Sequence, residues 1–259
     1  MDLNQSIWIK MGLRTLIKKK FYNLKFSKKK NSQIKNQVIL ITGASSGIGL
    51  GICKKLIKDN KIIAVYNNNE SNLKEIKNSN LIYLKCDLVH LNNYQEIEKK
   101  ILENNIELII NCAGQFGSNN QSINDLDFDN FVNVLKLNSL SVLKILQLIN
   151  NNNKIKHIKK IINMSSEGGS IEMNKKGNAY IYRTSKSALN SISKNLSIDL
   201  KQKFGISVIT IDPGNVKTNM NNKGYLSPEK CAEYVVDIIC DNKDYNGAFI
   251  NLLKKNIPW

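Results

Sequence analysis

The sequence predicts an α/β fold, a single domain built around a doubly wound parallel sheet of six to seven strands. From Gln37 onward, short runs of β-branched residues alternate with segments in which apolar residues recur at helical spacing. The chain has 259 residues, of which 42% are hydrophobic, and this is enough to bury one sizeable core. The apolar runs have the length of strands, so we expect no membrane-spanning segment.

The elements follow one another without an internal repeat. Short apolar runs bounded by polar residues predict strands at Val38–Thr42, Ile62–Tyr66, Leu81–Cys86, Leu108–Asn111, Ile161–Met164, Ser207–Ile211 and Ala248–Asn251. Helices are predicted between them, over about residues 47–59, 93–104, 128–150, 180–203 and 228–240. The third helix has the clearest pattern, with Phe131, Leu135 and Val142 on apolar faces. These elements use nearly all of residues 37–259.

Residues 1–36 stand outside this pattern and form a basic extension. Residues 1–37 hold ten Lys and Arg but one acidic residue, Asp2, whereas the rest of the chain holds 28 basic and 20 acidic residues. Between residues 6 and 25, the apolar residues fall on one helical face: Leu13, Leu16, Ile17, Phe21 and Leu24. This pattern predicts a basic amphipathic helix that contacts an anionic membrane surface. The composition by itself favours a disordered basic tail, and both interpretations stay open, whereas a transit peptide is disfavoured because Arg and Ser are scarce.

The net charge of +17 is not sufficient to predict a nucleic-acid-binding protein. Much of the charge lies in the extension, and Arg14 and Arg183 are the only two arginines. Guanidinium groups and interleaved aromatic rings would be expected at a nucleic-acid interface. The five cysteines form no C-x-x-C pair and the two histidines have no ligand cluster beside them. We therefore expect no metal site, no nucleic-acid partner and a reducing, cytoplasmic location, with peripheral membrane contact through residues 6–25.

A glycine-rich segment follows the first predicted strand and opens the first helix. Its sequence is Thr42-Gly43-Ala44-Ser45-Ser46-Gly47-Ile48-Gly49. At this place glycines let the backbone turn tightly and approach phosphate groups, whose charge is stabilised by the helix N-terminus. The strand before and the helix after it provide the context that such a motif requires. The segment predicts a dinucleotide site in a Rossmann-type sheet.

A second candidate motif is Tyr182-x-x-x-Lys186, in the predicted helix over residues 180–203. The spacing of four places the phenol and the ammonium on one helical face. A nearby cation stabilises phenolate and lowers the pKa of tyrosine, which makes it a usable proton donor and acceptor. In a chain this rich in lysine, however, one such pair is expected by chance, so its weight depends on the motifs around it.

Taken together, the motifs resemble those of the short-chain dehydrogenases/reductases. They occur in the family's order along residues 37–259: Thr42–Gly49, Asp87-Leu88, Asn111-Cys112-Ala113-Gly114, Asn138, Ser165-Ser166, Tyr182-x-x-x-Lys186 and Pro213-Gly214-Asn215-Val216-Lys217-Thr218. Finer features, including the ending Ile257-Pro258-Trp259, resemble the C-factor and sniffer carbonyl reductase branch.

The resemblance implies a role for each motif. Tyr182 is the expected acid/base, Lys186 is expected to hold the ribose and depress the pKa of Tyr182, and Asn138 is expected to position a water in the proton relay. Ser166 is expected to hydrogen-bond the substrate carbonyl, with Ser165 as the competing candidate. The implied cofactor-binding residues are Gly43, Ser45, Ser46, Gly47, Ile48, Gly49, Asn67, Asp87, Leu88, Asn111, Ala113, Gly114, Tyr182, Lys186, Pro213, Gly214, Val216 and Thr218.

The function expected from these residues is NAD(P)-dependent hydride transfer between the nicotinamide and a carbonyl or secondary alcohol. NADP(H) is favoured over NAD(H), because the second strand ends at Val65-Tyr66-Asn67 without the acid that selects NAD. The third and fourth long helices carry extra apolar faces, so we expect a homodimer or homotetramer. The alternative is a non-catalytic nucleotide-binding signalling protein of the same fold, recruited to a membrane by its basic N-terminus.

Two departures from the family pattern bear on the site. Cys112 stands where an asparagine is usual, a change in packing that we expect to be tolerated. The separation between Ser166 and Tyr182 is long, so the loop over residues 167–179 is expected to form part of the substrate mouth. The segment after Thr218 is short, and it predicts an open, permissive site.

Overall fold

The computed structural model describes residues 34–259, and their central element is a sheet of seven parallel strands. The strands are β1 (Val38–Thr42), β2 (Lys61–Tyr66), β3 (Leu81–Lys85), β4 (Leu108–Asn111), β5 (Lys160–Met164), β6 (Ser207–Asp212) and β7 (Phe249–Asn251). Their order across the sheet is β3-β2-β1-β4-β5-β6-β7. The predicted fold class and all seven strands are thus confirmed, with boundaries that differ by one residue at several ends.

Helices cover both faces of the sheet. They are α1 (Gly47–Leu56), α2 (Ser71–Lys74), α3 (Gln95–Glu103), α4 (Phe128–Leu135), α5 (Ser141–Asn151), α6 (Tyr180–Phe204) and α7 (Pro228–Ile239). Helices α1 and α7 pack against each other. Helices α3, α5 and α6 contribute Ile97, Ile145 and Leu189 to one core cluster with the strands.

Strands β1 and β4 are apolar up to their last residue because they are covered on both faces. Leu40 of β1 lies beside Ile63 of β2 and Ile109 of β4, and all three side chains are fully buried. Such positions suit β-branched and other apolar residues and do not require alternation with polar ones. This is why continuous apolar runs identified the strands in the sequence.

The long helix predicted over residues 128–150 is interrupted. Its middle, Lys136–Leu140, forms a π-helical turn between α4 and α5, and Asn138 lies in that turn. Single π turns are frequent at functional sites, because they reposition a side chain within a helix. Helix α1 ends earlier than predicted, since the Asn60 side chain donates to the Leu56 carbonyl and closes the helix there. The short helix α2 was not predicted.

By length and mean hydropathy (1.4), the combined helix Phe128–Asn151 could cross a membrane. Half of its most apolar window is buried within the domain. Its apolar side chains, such as Ile145 and Leu146, belong to the core cluster against the sheet. The hydropathy of this helix is therefore explained by its packing.

The first described residues bond to the turn that follows α1. The Asn60 side chain donates to the Ile34 carbonyl at 2.9 Å, and the Asn36 amide donates to the Asp59 carbonyl at 2.8 Å. The amphipathic helix expected over residues 6–25 lies outside the described residues and stays a prediction.

Candidate active site

A cleft of about 660 Å³ opens at the carboxyl ends of the strands, beside β1 and β4. These two strands are neighbours in space but not in sequence, so the chain direction across the sheet reverses between them. Ligands of open α/β sheets bind at such a switch point. Eleven of the predicted site residues line the cleft: Gly43, Ser46, Gly47, Ile48, Gly49, Ala113, Gly114, Tyr182, Lys186, Pro213 and Thr218.

At two positions of the glycine-rich turn, the backbone leaves room for glycine only. Gly43 has φ +64°, and a Cβ there would lie 2.8 Å from the backbone of Ala113. A Cβ on Gly49 would lie 2.3 Å from the Gly43 carbonyl oxygen. The turn is fixed to the loop after β4, because the Thr42 hydroxyl oxygen accepts from the Cys112 and Ala113 amides at 3.2 Å each. The motif therefore brings two loops together at one wall of the cleft.

The N-terminus of α1 at this wall fits a phosphate group. Within the part of the chain that the structure describes, no side chain caps α1, and its first turn holds no acidic residue. Its first-turn amides and the positive end of the helix dipole are thus available to an anion. Gly47 and Ile48 of this turn line the cleft. The turn and the cleft suit the pyrophosphate of a nicotinamide dinucleotide.

The other nine predicted residues do not line the cleft: Ser45, Asn67, Asp87, Leu88, Asn111, Asn138, Ser166, Gly214 and Val216. Leu88 and Val216 are buried, and Leu88 belongs to the core cluster. The Asn111 side chain donates to Asn163 at 2.7 Å and so joins β4 to β5 beneath the cleft. Asn67 and Asp87 follow β2 and β3 at the same edge of the sheet.

Asn138 fixes the loop after β4. Its amide donates to the Gln115 carbonyl and to the Ser185 hydroxyl at 2.9 Å each, and its Oδ1 accepts from the Gln115 amide at 2.8 Å. The side chain is 1% exposed. These bonds hold Gly114, which approaches the Lys186 ammonium, in place. Asn138 thus connects the π turn, the loop and the first turns of α6.

Tyr182 and Ser166 are in hydrogen-bonding contact at the cleft. The Ser166 hydroxyl bonds to the Tyr182 phenol and also accepts from the Gly168 amide at 3.0 Å. Ser165, the competing candidate, is 2% exposed and donates to Asn190 at 2.6 Å. The geometry therefore favours Ser166 as the hydroxyl that acts with Tyr182, because the Ser165 hydroxyl is bonded to α6.

Lys186 lies one turn after Tyr182 and is almost fully buried. Its ammonium donates to the Met164 carbonyl at 2.9 Å and lies 5.9 Å from the centroid of the Tyr182 ring. Burial lowers the pKa of Lys186 to about 8, because a low-dielectric environment disfavours the charged form. Near neutral pH the ammonium is still largely protonated, and it forms a positive centre at the cleft wall.

The pKa of Tyr182 differs from the sequence expectation. Burial raises it, the hydrogen bond from Ser166 lowers it, and the charge of Asp212 raises it further. The expectation that Lys186 brings the pKa of Tyr182 below its ordinary value is not met in this geometry. The physical reason is that desolvation of the phenolate outweighs the favourable contacts around it.

Other walls of the cleft carry no motif and were missed in the sequence. They comprise Gln115–Asn119 after β4 and Asn219-Met220 after Thr218. The Phe116 ring stacks on Tyr182, with centroids 5.0 Å apart. Cys112 also lines the cleft, and burial raises the pKa of its thiol to about 12, so that the thiol is uncharged near neutral pH.

Two known proteins are similar to this chain in sequence. An uncharacterized oxidoreductase of Staphylococcus epidermidis is 30% identical over 199 residues, covering 73% of this chain and 82% of that protein. The C-signal of Myxococcus xanthus is 26% identical over 156 residues, which cover 60% of this chain and 93% of that protein.

Two solved structures superpose on most of the chain. The carbonyl reductase Sniffer of D. melanogaster matches with a TM-score of 0.79 and 27% identity, over 87% of this chain and 100% of that one. An NADPH-bound carbonyl reductase from chicken fatty liver matches with a TM-score of 0.76 and 23% identity, over the same shares. The resemblance to the C-factor and sniffer branch is thus confirmed. The profile of short chain dehydrogenases matches residues 37–227, and the chain therefore belongs to the short-chain dehydrogenase/reductase family of oxidoreductases.

Proposed function

We propose that this protein is an NADP(H)-dependent oxidoreductase that interconverts a carbonyl compound and its secondary alcohol, with Tyr182 as the acid/base. One observation carries the proposal. The Tyr182 phenol lies on a cleft wall together with the buried Lys186 ammonium and contacts the Ser166 hydroxyl, and the glycine-rich turn forms another wall. The bound dinucleotide supplies the hydride, and the protein supplies orientation and the proton.

Each group of residues would have its own role in this reaction. Amides of the glycine-rich turn hold the pyrophosphate, and Lys186 lies where it can bond to ribose hydroxyls. Ser166 donates a hydrogen bond to the substrate oxygen and keeps it within reach of Tyr182. Tyr182 gives its proton to that oxygen during reduction and takes it back during oxidation. A raised pKa keeps the Tyr182 phenol protonated near neutral pH, and the direction of its shift therefore suits the role of acid in carbonyl reduction.

The cleft favours an uncharged substrate. Among the described residues that line it, Lys186 alone carries a charged side chain, and that side chain is already bonded to Met164. Phe116, Met164 and Met220 add apolar surface. To test the proposed function, the pure protein is mixed with NADPH and a panel of neutral aldehydes and ketones, alongside keto acids. Oxidation of NADPH with neutral carbonyls is expected, and no turnover with any of them would contradict the proposal.

We expect a moderate preference for NADPH over NADH. At the end of β2, the adenosine ribose would meet Asn67, which does not repel a 2′-phosphate. The next acid along the chain, Glu70, accepts from the Tyr66 phenol at 2.5 Å and is paired with Lys74, so that its charge is largely balanced. Asn67→Asp should shift the ratio of kcat/KM values toward NADH by roughly tenfold, which corresponds to about 1.4 kcal/mol.

The matched control for this prediction is Asn69→Asp. Asn69 lies two residues farther along and is exposed, and its side chain accepts from the Ser71 amide. The same added charge at that position should leave the ratio nearly unchanged. An unmodified protein that uses NADH as well as NADPH would count against the proposed cofactor choice.

We also propose that two copies of the chain associate through α5 and α6. A largely apolar groove of about 550 Å³ runs between these helices and is lined by Leu140, Leu143, Leu196 and Leu200. Leu143 in this groove is 39% exposed. Covering such a surface with its own symmetry copy would remove apolar area from water. A homodimer is the simplest assembly, and a homotetramer needs a further interface.

Leu143→Asp should convert the assembly to monomers in light scattering at micromolar concentration, because it places an unpaired charge at the centre of the interface. Leu102→Asp is the control, since Leu102 is 53% exposed but lies on α3, away from the groove. A monomeric unmodified protein would contradict the proposal.

A further inference from the structure

We propose that Gln121 is a positioning residue that holds Tyr182 at the cleft; this inference rests on the proposed function. Gln121 lies in the loop between β4 and α4 and belongs to none of the motifs in the sequence. Its side chain is 3% exposed and spans two elements. Its Oε1 accepts from the backbone amide of Tyr182 at 3.0 Å.

This bond replaces a cap that α6 lacks. Amides in the first turn of a helix have no partner within the helix, and a side chain just before it usually supplies one. Here the preceding residue is Ala179, which has φ +52° and offers no capping group. Among the described residues, Gln121 from a distant loop supplies the acceptor for the Tyr182 amide. The residue that carries the phenol is thus fixed through its own backbone.

The nitrogen of the same Gln121 amide bonds to the cleft wall that faces Tyr182. Its Nε2 donates to the Phe116 carbonyl at 2.9 Å and to the Ser118 carbonyl at 3.0 Å. Phe116 stacks on the Tyr182 ring, and both Phe116 and Ser118 line the cleft. One amide group therefore sets the distance between Tyr182 and the opposite wall.

The loop that contains Phe116 and Ser118 packs tightly against α6. The distance between this loop and Tyr182 is therefore sensitive to change. Gly117, between the two carbonyls that Gln121 bonds, has φ +96°. A Cβ on it would lie 3.0 Å from Ile181 and 3.4 Å from Gln121 Nε2. Loss of the Gln121 bonds would release the loop and the first turn of α6 together. A shift of about 1 Å in a catalytic group can cost 10²-fold in rate.

The test compares Gln121→Leu with Asn60→Leu in the full chain. Asn60 is an equally buried amide, 3% exposed, that also makes three hydrogen bonds, but it lies at the opposite edge of the sheet. Both variants should lose thermal stability. Only Gln121→Leu should lower kcat, by roughly 10²-fold, with the KM for NADPH nearly unchanged. Equal kcat values for the two variants would overturn the proposal.

The pH dependence of kcat in Gln121→Glu distinguishes a positioning role from a purely structural one, which would leave that dependence unchanged. The carboxylate can still accept from the Tyr182 amide, but it repels the Phe116 and Ser118 carbonyls. Protonation restores one donor, so the kcat of this variant relative to the unmodified protein should recover as the pH falls. A ratio that is constant with pH would contradict the proposed contacts.

Hydrogen exchange separates this inference from the proposed function. The Tyr182 amide should exchange faster in Gln121→Leu than in the unmodified protein, and should be unaffected in Asn60→Leu. This measurement needs no turnover. If the unmodified protein reduces no carbonyl but the exchange differs as expected, the proposed function fails while the contact stands. If the exchange does not differ, the positioning role is wrong whatever the activity.

Discussion

Tyr182→Phe is expected to lower kcat by about 10²- to 10⁴-fold while NADPH still binds. The phenylalanine ring keeps the packing against Phe116, which lies 5.0 Å from Tyr182 between centroids. The substitution removes only the hydroxyl that bonds to Ser166 and exchanges a proton with the substrate. The measurement is single-substrate kinetics with the best carbonyl of the panel, together with NADPH binding by fluorescence.

Tyr180→Phe is the matched control for that variant. Tyr180 lies on the same helix two residues earlier, is 41% exposed, and has no lysine one turn after it. Its hydroxyl has no role in the proposed mechanism, and its removal should leave kcat close to that of the unmodified protein. Turnover retained in Tyr182→Phe would show that another group delivers the proton.

The second large effect is expected from Lys186→Met, which should lower kcat/KM by about 10²- to 10³-fold. Methionine fills a similar volume but carries no charge and cannot donate to the Met164 carbonyl or to ribose hydroxyls. The active site would lose its buried positive centre beside the Tyr182 ring. Lys194→Met, an exposed lysine on the same helix, is the control and should leave kcat/KM unchanged.

The pKa of Lys186 also makes a prediction about stability. Burial places it at about 8 in the folded chain, against 10.5 as its ordinary value. Below about pH 8 both states are charged and the cost of burying the ammonium is fully present. Between pH 8 and 10.5 the unfolded chain binds more protons than the folded one, so the free energy of unfolding rises with pH. This contribution amounts to about 1.4 kcal/mol per pH unit.

Lys186→Met isolates this contribution, since other groups titrate in both proteins. The difference in the free energy of unfolding between the unmodified protein and the variant should grow in favour of the unmodified protein over that pH range. Urea unfolding at several pH values measures it. A difference that does not change with pH would show that the ammonium is better solvated than its burial suggests.

Local sequence was sufficient to predict the sheet and the place of the glycine-rich turn. Continuous apolar runs predicted strands such as β1 and β4, because strands buried on both faces are mostly apolar and need no alternation with polar residues. Gly43 and Gly49 belong to the motif because the backbone approaches so closely at both positions that a Cβ has no room. A glycine motif in the sequence therefore indicates this turn. The spacing of four between Tyr182 and Lys186 placed both on one side of α6.

The tertiary structure decided which side chains of the site contact each other and in which direction their pKa values shift. Ser166 and Tyr182 contact each other only because α6 packs beside the end of β5, where Lys186 donates to the Met164 carbonyl, and no local spacing encodes this. The pKa of Tyr182 is raised because burial is a property of everything packed around it. Gln121 reaches the Tyr182 amide from 61 residues away. Local sequence determines backbone conformation, whereas contacts between distant loops depend on how the whole chain packs, and only the folded structure shows them.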